Sequence, residues 1–90
     1  MRHRKDTNQE DIIKALEEIG ASVEPLTNQG KGCPDLLVGI FNKNYLLEIK
    51  RDNKQQLRIT QKDFLYRWKG QYAKVSNKQE AYRAIEITMK

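Results

Sequence analysis

Leu36-Leu37-Val38-Gly39-Ile40-Phe41 and Tyr45-Leu46-Leu47-Glu48-Ile49-Lys50-Arg51 are the densest apolar runs in an otherwise polar chain, and only Asn42-Lys43-Asn44 separates them. Two such runs around an asparagine-containing turn read as a β-hairpin. The chain has 90 residues, of which 38% are hydrophobic. That is enough for one domain with one thin core, so the hairpin must supply its centre and every other element must pack on it.

The flanking segments supply those elements. Thr7-Asn8-Gln9-Glu10 has the form of a capping box, and Ile12, Ile13, Leu16 and Ile19 follow at helical spacing until Gly20. A helix is expected over 8–19. Residues 21–26, with Val23 and Pro25, read as an edge strand, and the polar run from Thr27 to Gly32 as a loop whose glycines let backbone approach a ligand. After the hairpin and the polar stretch 52–56, Thr60 caps a helix that turns Phe64, Leu65 and Trp68 inward and stops at Gly70. Residues 72–75 alternate as a fourth strand. Ser76-Asn77-Lys78-Gln79 reads as a second capping box, opening a last helix with Ala81, Tyr82, Ile85 and Met89 on one stripe. A strand that follows a crossover helix returns parallel to the same sheet, so the order predicts an α/β fold with a mixed sheet.

Charge narrows the partners. Seventeen Lys and Arg against twelve Asp and Glu give a formal net charge of +5, which favours a polyanion such as nucleic acid, with an anionic membrane surface as the competing reading. No apolar run approaches the ~18 residues of a membrane span, and Met1 to Asp6 lacks the hydrophobic stretch of a signal peptide. An intracellular, cytoplasmic protein without a membrane partner is expected. Cys33 is the only cysteine and His3 the only histidine, so neither an internal disulfide nor a Cys-based zinc site can form within one chain. Cys33 reads as a small residue in a tight turn beside Gly32.

Charges inside the hairpin are the unusual feature. Glu48 and Lys50 lie two apart, on one face of their strand, inside the apolar segment whose neighbours include Leu46 and Val38. Charges in a central strand are costly without a partner or a metal. Asp35, after Pro34, lies opposite the Lys50 end of the partner strand. A hairpin turn of two or four residues puts Asp35 on the face of Glu48 and Lys50, whereas a three-residue turn puts it on the other unless a bulge at Gly39 or the entry at Pro34 intervenes. Two carboxylates can hold a divalent cation with oxygen ligands. A nearby lysine can orient or deprotonate water, the latter only with a depressed pKa.

Gly32-Cys33-Pro34-Asp35-Leu36-Leu37-Val38-Gly39, Leu47-Glu48-Ile49-Lys50, Thr60-Gln61-Lys62-Asp63-Phe64-Leu65 and Trp68-Lys69-Gly70 together resemble the PD-(D/E)xK nuclease superfamily. More narrowly they resemble its VRR-NUC branch, in the small stand-alone form of phages and bacteria. The resemblance runs from the first helix to the last, and Gln61 in its Thr-Gln helix start is what makes it specific.

The resemblance implies a single nuclease domain over residues 1–90, with an αβββαβ core, a mixed sheet flanked by helices and an added C-terminal helix. It implies Asp35, Glu48, Lys50 and Gln61 as catalytic residues. Asp35, Glu48 and the Ile49 carbonyl would hold Mg²⁺ or Mn²⁺, with no small-molecule cofactor. Glu10 is the candidate for a first-helix glutamate at the metal, although the same residue closes the Thr7 capping box. Asp11, Glu17 and Glu18 read as solvated helix charges. Lys31, Lys43, Arg51, Lys54, Arg58 and Lys62 cluster in sequence around the site as candidate DNA contacts, and Arg2, Arg4 and Lys5 as a basic arm. Trp68, Tyr66 and Tyr72 are candidates for stacking on bases, with core packing the preferred reading of Phe64, Leu65 and Trp68.

The expected activity is metal-dependent hydrolysis of DNA, selective for branched forms such as Holliday junctions, by a homodimer in a phage-infected or bacterial cytoplasm. The alternatives are an inactive DNA-binding module of the same fold, and a flap, nicking or restriction-type nuclease.

Overall fold

The computed structural model describes residues 4–26 and 29–86. The side chains of the expected basic arm and of Met89 lie outside this description. The elements run α1 (Arg4–Glu18), β1 (Ser22–Pro25), β2 (Leu36–Ile40), β3 (Lys43–Ile49), α2 (Ile59–Arg67), β4 (Gln71–Val75) and α3 (Lys78–Ala84). The strands form one sheet in the order β1-β2-β3-β4, antiparallel up to β3 and parallel between β3 and β4. This is the mixed α/β sheet that the element order predicts, with β1 at an edge.

The hairpin closes through a two-residue turn at Phe41-Asn42, not through 42–44. Both residues have positive φ, 54° and 61°, as an inverted two-residue turn requires, and Ile40 pairs with Lys43. Register explains the shift. Leu36, Val38 and Ile40 must face the same side as Tyr45 and Leu47 to share a core, and a three-residue turn would send one set to the opposite face. Phe41 stays exposed as a result.

One face of the sheet is closed by α1 and α3. Ile12 and Leu16 of α1, Ala81 of α3 and Ile85 at its C-terminal cap pack with Val23, Leu36, Val38, Tyr45, Leu47 and Val75 in one buried cluster. Val38 belongs to this face, away from Glu48, because it pairs with Tyr45. Helix α1 begins at Arg4, four residues earlier than the capping pattern predicts, so Thr7 lies inside the helix and is not its cap. Helix α3 is capped one residue late. Asn77 accepts the Glu80 amide at 2.8 Å, while the Glu80 carboxylate accepts the Ser76 amide at 2.7 Å. Glu80, not Gln79, therefore closes the turn, reaching back to Ser76 with a stronger acceptor than an amide, while Asn77 caps the helix.

Helix α2 covers part of the other face, and its apolar residues depart from expectation. Gln61 is its buried side chain, Phe64 is half-buried, and Leu65 and Trp68 are exposed. The first turn is held instead by polar bonds. The Arg58 amide donates to Gln61 Oε1 at 2.8 Å, so Arg58, and not Thr60, is the cap residue.

Candidate active site

The two-residue turn decides the site. Leu36 pairs with Leu47, so Asp35, one step earlier, stands across from Glu48 and shares its face. No bulge is needed. Asp35 is anchored at both ends of its own residue: its amide donates to the Leu47 carbonyl at 3.1 Å, and its Oδ2 accepts the Ile49 amide at 2.7 Å. The entry through Pro34, which is fully buried, thus ends with a carboxylate fixed to the partner strand.

Glu48, Lys50 and Gln61 are each buried, at 4%, 5% and 3% exposure. They satisfy one another. Lys50 Nζ donates to Gln61 Oε1 at 2.8 Å and lies 3.5 Å from Glu48 Oε2, and Gln61 Nε2 donates to the same Glu48 oxygen at 2.9 Å. Gln61 thereby ties the acid and the base of β3 to α2. An amide suits that place because it offers one acceptor to the ammonium and one donor to the carboxylate.

Glu48 Oε1 is left over: it is buried and has no hydrogen-bond partner. Burial first, and then the negative charge of Asp35, pushes the Glu48 carboxyl up to about 7, with Lys50 opposing the rise. Two acidic groups facing one another without enough positive charge between them are electrostatically incomplete. A hard divalent cation fits that deficit, since its ligands are oxygens and one Glu48 oxygen is free. Among the described residues no group of three His, Cys, Asp or Glu is arranged to hold a metal ion. The side-chain carboxylates for such an ion are these two.

A cavity of about 710 Å³ opens over the group, lined among others by Asn8, Asp11, Ile49, Arg51, Gln55 and Arg58. Glu10 is exposed and does not line it, whereas Asp11 does. The carboxylate that α1 presents to the cavity is therefore Asp11, a residue that reads in sequence as a solvated charge. Asn8 was also missed. Its amide donates to the carbonyls of Lys50 at 3.2 Å and Ser76 at 2.7 Å, joining α1 to the ends of β3 and β4 beside the site. The one signal available was spacing, since residues three apart share a helix face.

Of the expected DNA contacts, Arg51 and Arg58 line the cavity, while Lys31, Lys54 and Lys62 are exposed and do not line it. Lys43 stands at the opposite end of β3, 3.8 Å from Glu86, roughly 17 Å from Glu48 by strand rise. Sequence proximity misled there because a strand separates its two ends.

Gly32 fixes how α2 meets this group. Its φ is +77°, and a Cβ there would run into the Thr60 carbonyl and, at 2.9 Å, the Gln61 amide nitrogen. The loop before Cys33 therefore lies directly on the first turn of α2. Backbone does approach closely at this glycine, but its neighbour is a helix rather than a ligand. Cys33 is half-buried beside it, and burial followed by the charges of Glu48 and Asp35 raises its thiol above the ordinary value.

No protein-family model and no curated protein matches the sequence. A solved structure described as a VRR_NUC domain is similar to this chain with a TM-score of 0.79, covering 94% of this chain and 97% of that one at 22% identity. The likeness is one of fold.

Proposed function

We propose that this chain, which has the fold of a solved VRR_NUC domain, is a metal-dependent nuclease that hydrolyses phosphodiester bonds in DNA. The observation that carries this reading is the buried set of Asp35, Glu48, Lys50 and Gln61 with one Glu48 oxygen left unpartnered. A structural ion pair alone gives no reason to add a second acid beside Glu48 or to open a cavity lined by Arg51 and Arg58 over the pair. Asp35 and Glu48 would hold Mg²⁺ or Mn²⁺, with the carbonyl of Ile49, which also lines the cavity, as a further oxygen ligand. When bound, the cation supplies charge that neutralises the phosphoryl oxygens.

The chain's own groups do the rest. Lys50 is aimed by Gln61 and Glu48 and presents its ammonium where it can orient the attacking water by hydrogen bonding. Arg51 and Arg58 line the same cavity and would hold phosphate oxygens of the substrate. Water attacks phosphorus directly. One P–O bond forms as the bond to the leaving oxygen breaks, and no covalent enzyme intermediate is involved. Branched DNA such as a Holliday junction is the proposed substrate, cut by a homodimer because a four-way junction presents two symmetry-related strands.

Purified protein with Mg²⁺ or Mn²⁺ is expected to cut junction DNA in preference to linear duplex. Asp35→Ala and Lys50→Ala should each lose at least about a hundredfold of that rate. Equal cutting by either variant rejects the assignment.

A further inference from the structure

Helix α2 reaches out of the site as well as into it. Gln61, Phe64 and Trp68 recur at helical spacing, yet the stripe passes from buried Gln61 through half-buried Phe64 to Trp68, which keeps 43% of its surface exposed. The Phe64 and Trp68 rings are stacked at 5.6 Å with their planes 23° apart, and the Tyr72 ring lies 6.1 Å from Phe64. The Tyr72 hydroxyl is buried and unpartnered, and Tyr72 pairs with Leu46, so its side chain shares the sheet face of Glu48. The three rings thus run from the sheet face that carries the carboxylates to the surface.

Trp68 is exposed and also fixed. Its indole N–H donates to the Gln71 carbonyl at 3.2 Å. Phe64 stacks against it, and the Arg67 guanidinium lies 5.6 Å from the Phe64 ring centre. Gly70 leaves room for it, since a Cβ there would stand 2.9 Å from the indole nitrogen. A large ring held in one orientation at the surface has already lost the freedom that binding would otherwise remove. Arg67 and Lys69 flank it in sequence and carry the charge that a phosphate backbone needs.

We propose that Trp68, backed by Phe64, forms a stacking subsite for an unpaired nucleobase on the strand whose phosphate enters the cavity at Glu48 and Lys50. The last clause rests on the nuclease reading; the stacking itself does not. Bases in an intact duplex are stacked on one another and cannot reach the ring. The substrates favoured are therefore branch points, gaps or flaps that leave nucleotides unpaired near the reacting bond.

Trp68 is the only tryptophan, so fluorescence excited beyond the tyrosine absorption band reports this ring alone. The test is a titration at low salt in EDTA with an oligothymidylate, and in parallel with an abasic oligonucleotide carrying the same phosphates. Saturable quenching by the first and not by the second is expected. Gly70→Ala, which crowds the indole without removing it, should weaken oligothymidylate binding roughly five- to hundredfold with an unchanged circular dichroism spectrum. Trp68→Ala should show the same loss when binding is followed by anisotropy of a labelled oligonucleotide.

Equal quenching by both oligonucleotides, or no quenching, overturns the subsite. So does emission that changes with protein concentration before DNA is added, which would show the face covered by a second copy. Cleavage is scored separately with Mg²⁺. Base-dependent quenching without cleavage keeps the subsite and removes the nuclease reading, whereas cleavage without base-dependent quenching does the reverse.

Discussion

Strands β2 and β3 have two faces built from alternate residues, and the two have opposite characters. Leu36, Val38, Ile40, Tyr45 and Leu47 point to the face that α1 and α3 close with aliphatic side chains. Asp35, Glu48 and Lys50 point to the face that α2 closes with the single amide of Gln61. The first face contributes stability through area, at about 25 cal/mol per Å² of apolar surface removed from water. The second contributes little, because burying an acid and an ammonium sets a desolvation cost against their attraction. Its value is geometric: a carboxylate oxygen left free and a lysine held in place.

Breaking the apolar face should have the largest effect and should not discriminate. Leu47 is fully buried at the centre of the sheet. Leu47→Ala is expected to destabilise the protein by about 2–5 kcal/mol, read by urea denaturation. Cleavage by the fraction still folded should be unchanged.

The junction between the faces is tested at Gly32. Gly32→Ala adds a side chain at positive φ and drives it into the first turn of α2. Gly30 has a positive φ of 64° as well, but nothing lies within 4 Å of its would-be Cβ. Gly30→Ala should therefore cost only the conformational term, about 1–2 kcal/mol, with cleavage retained. Gly32→Ala should cost more and lose cleavage with it, because Gln61 moves with α2. Similar effects from the two would show that the close approach at Gly32 does not position the site.

Gln61→Ala removes one side chain from the polar face and strands its partners. Lys50, Glu48 and the Arg58 amide each lose a hydrogen bond, and a buried group left unsatisfied costs about 1–3 kcal/mol. Activity should fall at least about tenfold, mainly in kcat, since Lys50 loses its aim.

The last effect is the response of the metal-free protein to pH. The Glu48 carboxyl is raised from an ordinary carboxylate value to about 7, so the folded state holds this proton more tightly than the unfolded chain. The resulting stabilisation is fully present below about 4.5 and is lost as pH rises through about 7. The Tm in EDTA should fall over that window, and added Mn²⁺ should reverse the trend by taking the proton's place.

The apolar face was the legible one. Period-two runs around an asparagine turn gave β2 and β3, and Ile12, Leu16, Ala81 and Ile85 followed from helical spacing, because burial imposes a period that a sequence must carry. The polar face was legible only in its residues. Glu48, Lys50 and Gln61 stood out as chemistry, but the register that brings Asp35 to them depends on a turn one residue shorter than the sequence suggests.

Helix α2 misled for the same reason. A stripe of Phe64, Leu65 and Trp68 predicts a buried face, yet the sheet surface beneath α2 is polar, and only Phe64 packs inward. At α1 the Thr7-to-Glu10 pattern marked a start that the helix overruns, because a capping box is four common residues and says nothing about what precedes it. The cavity carboxylate Asp11 followed from neither rule.

The central claim is that Asp35 and Glu48 together hold a divalent cation on the polar face. Titrating the protein with Mn²⁺ at pH 8, followed by calorimetry or by loss of the free-ion paramagnetic resonance signal, tests it without requiring catalysis. Wild-type protein is expected to bind saturably and Asp35→Asn to bind at least about tenfold more weakly with its fold intact. Equal binding by the two would contradict the account.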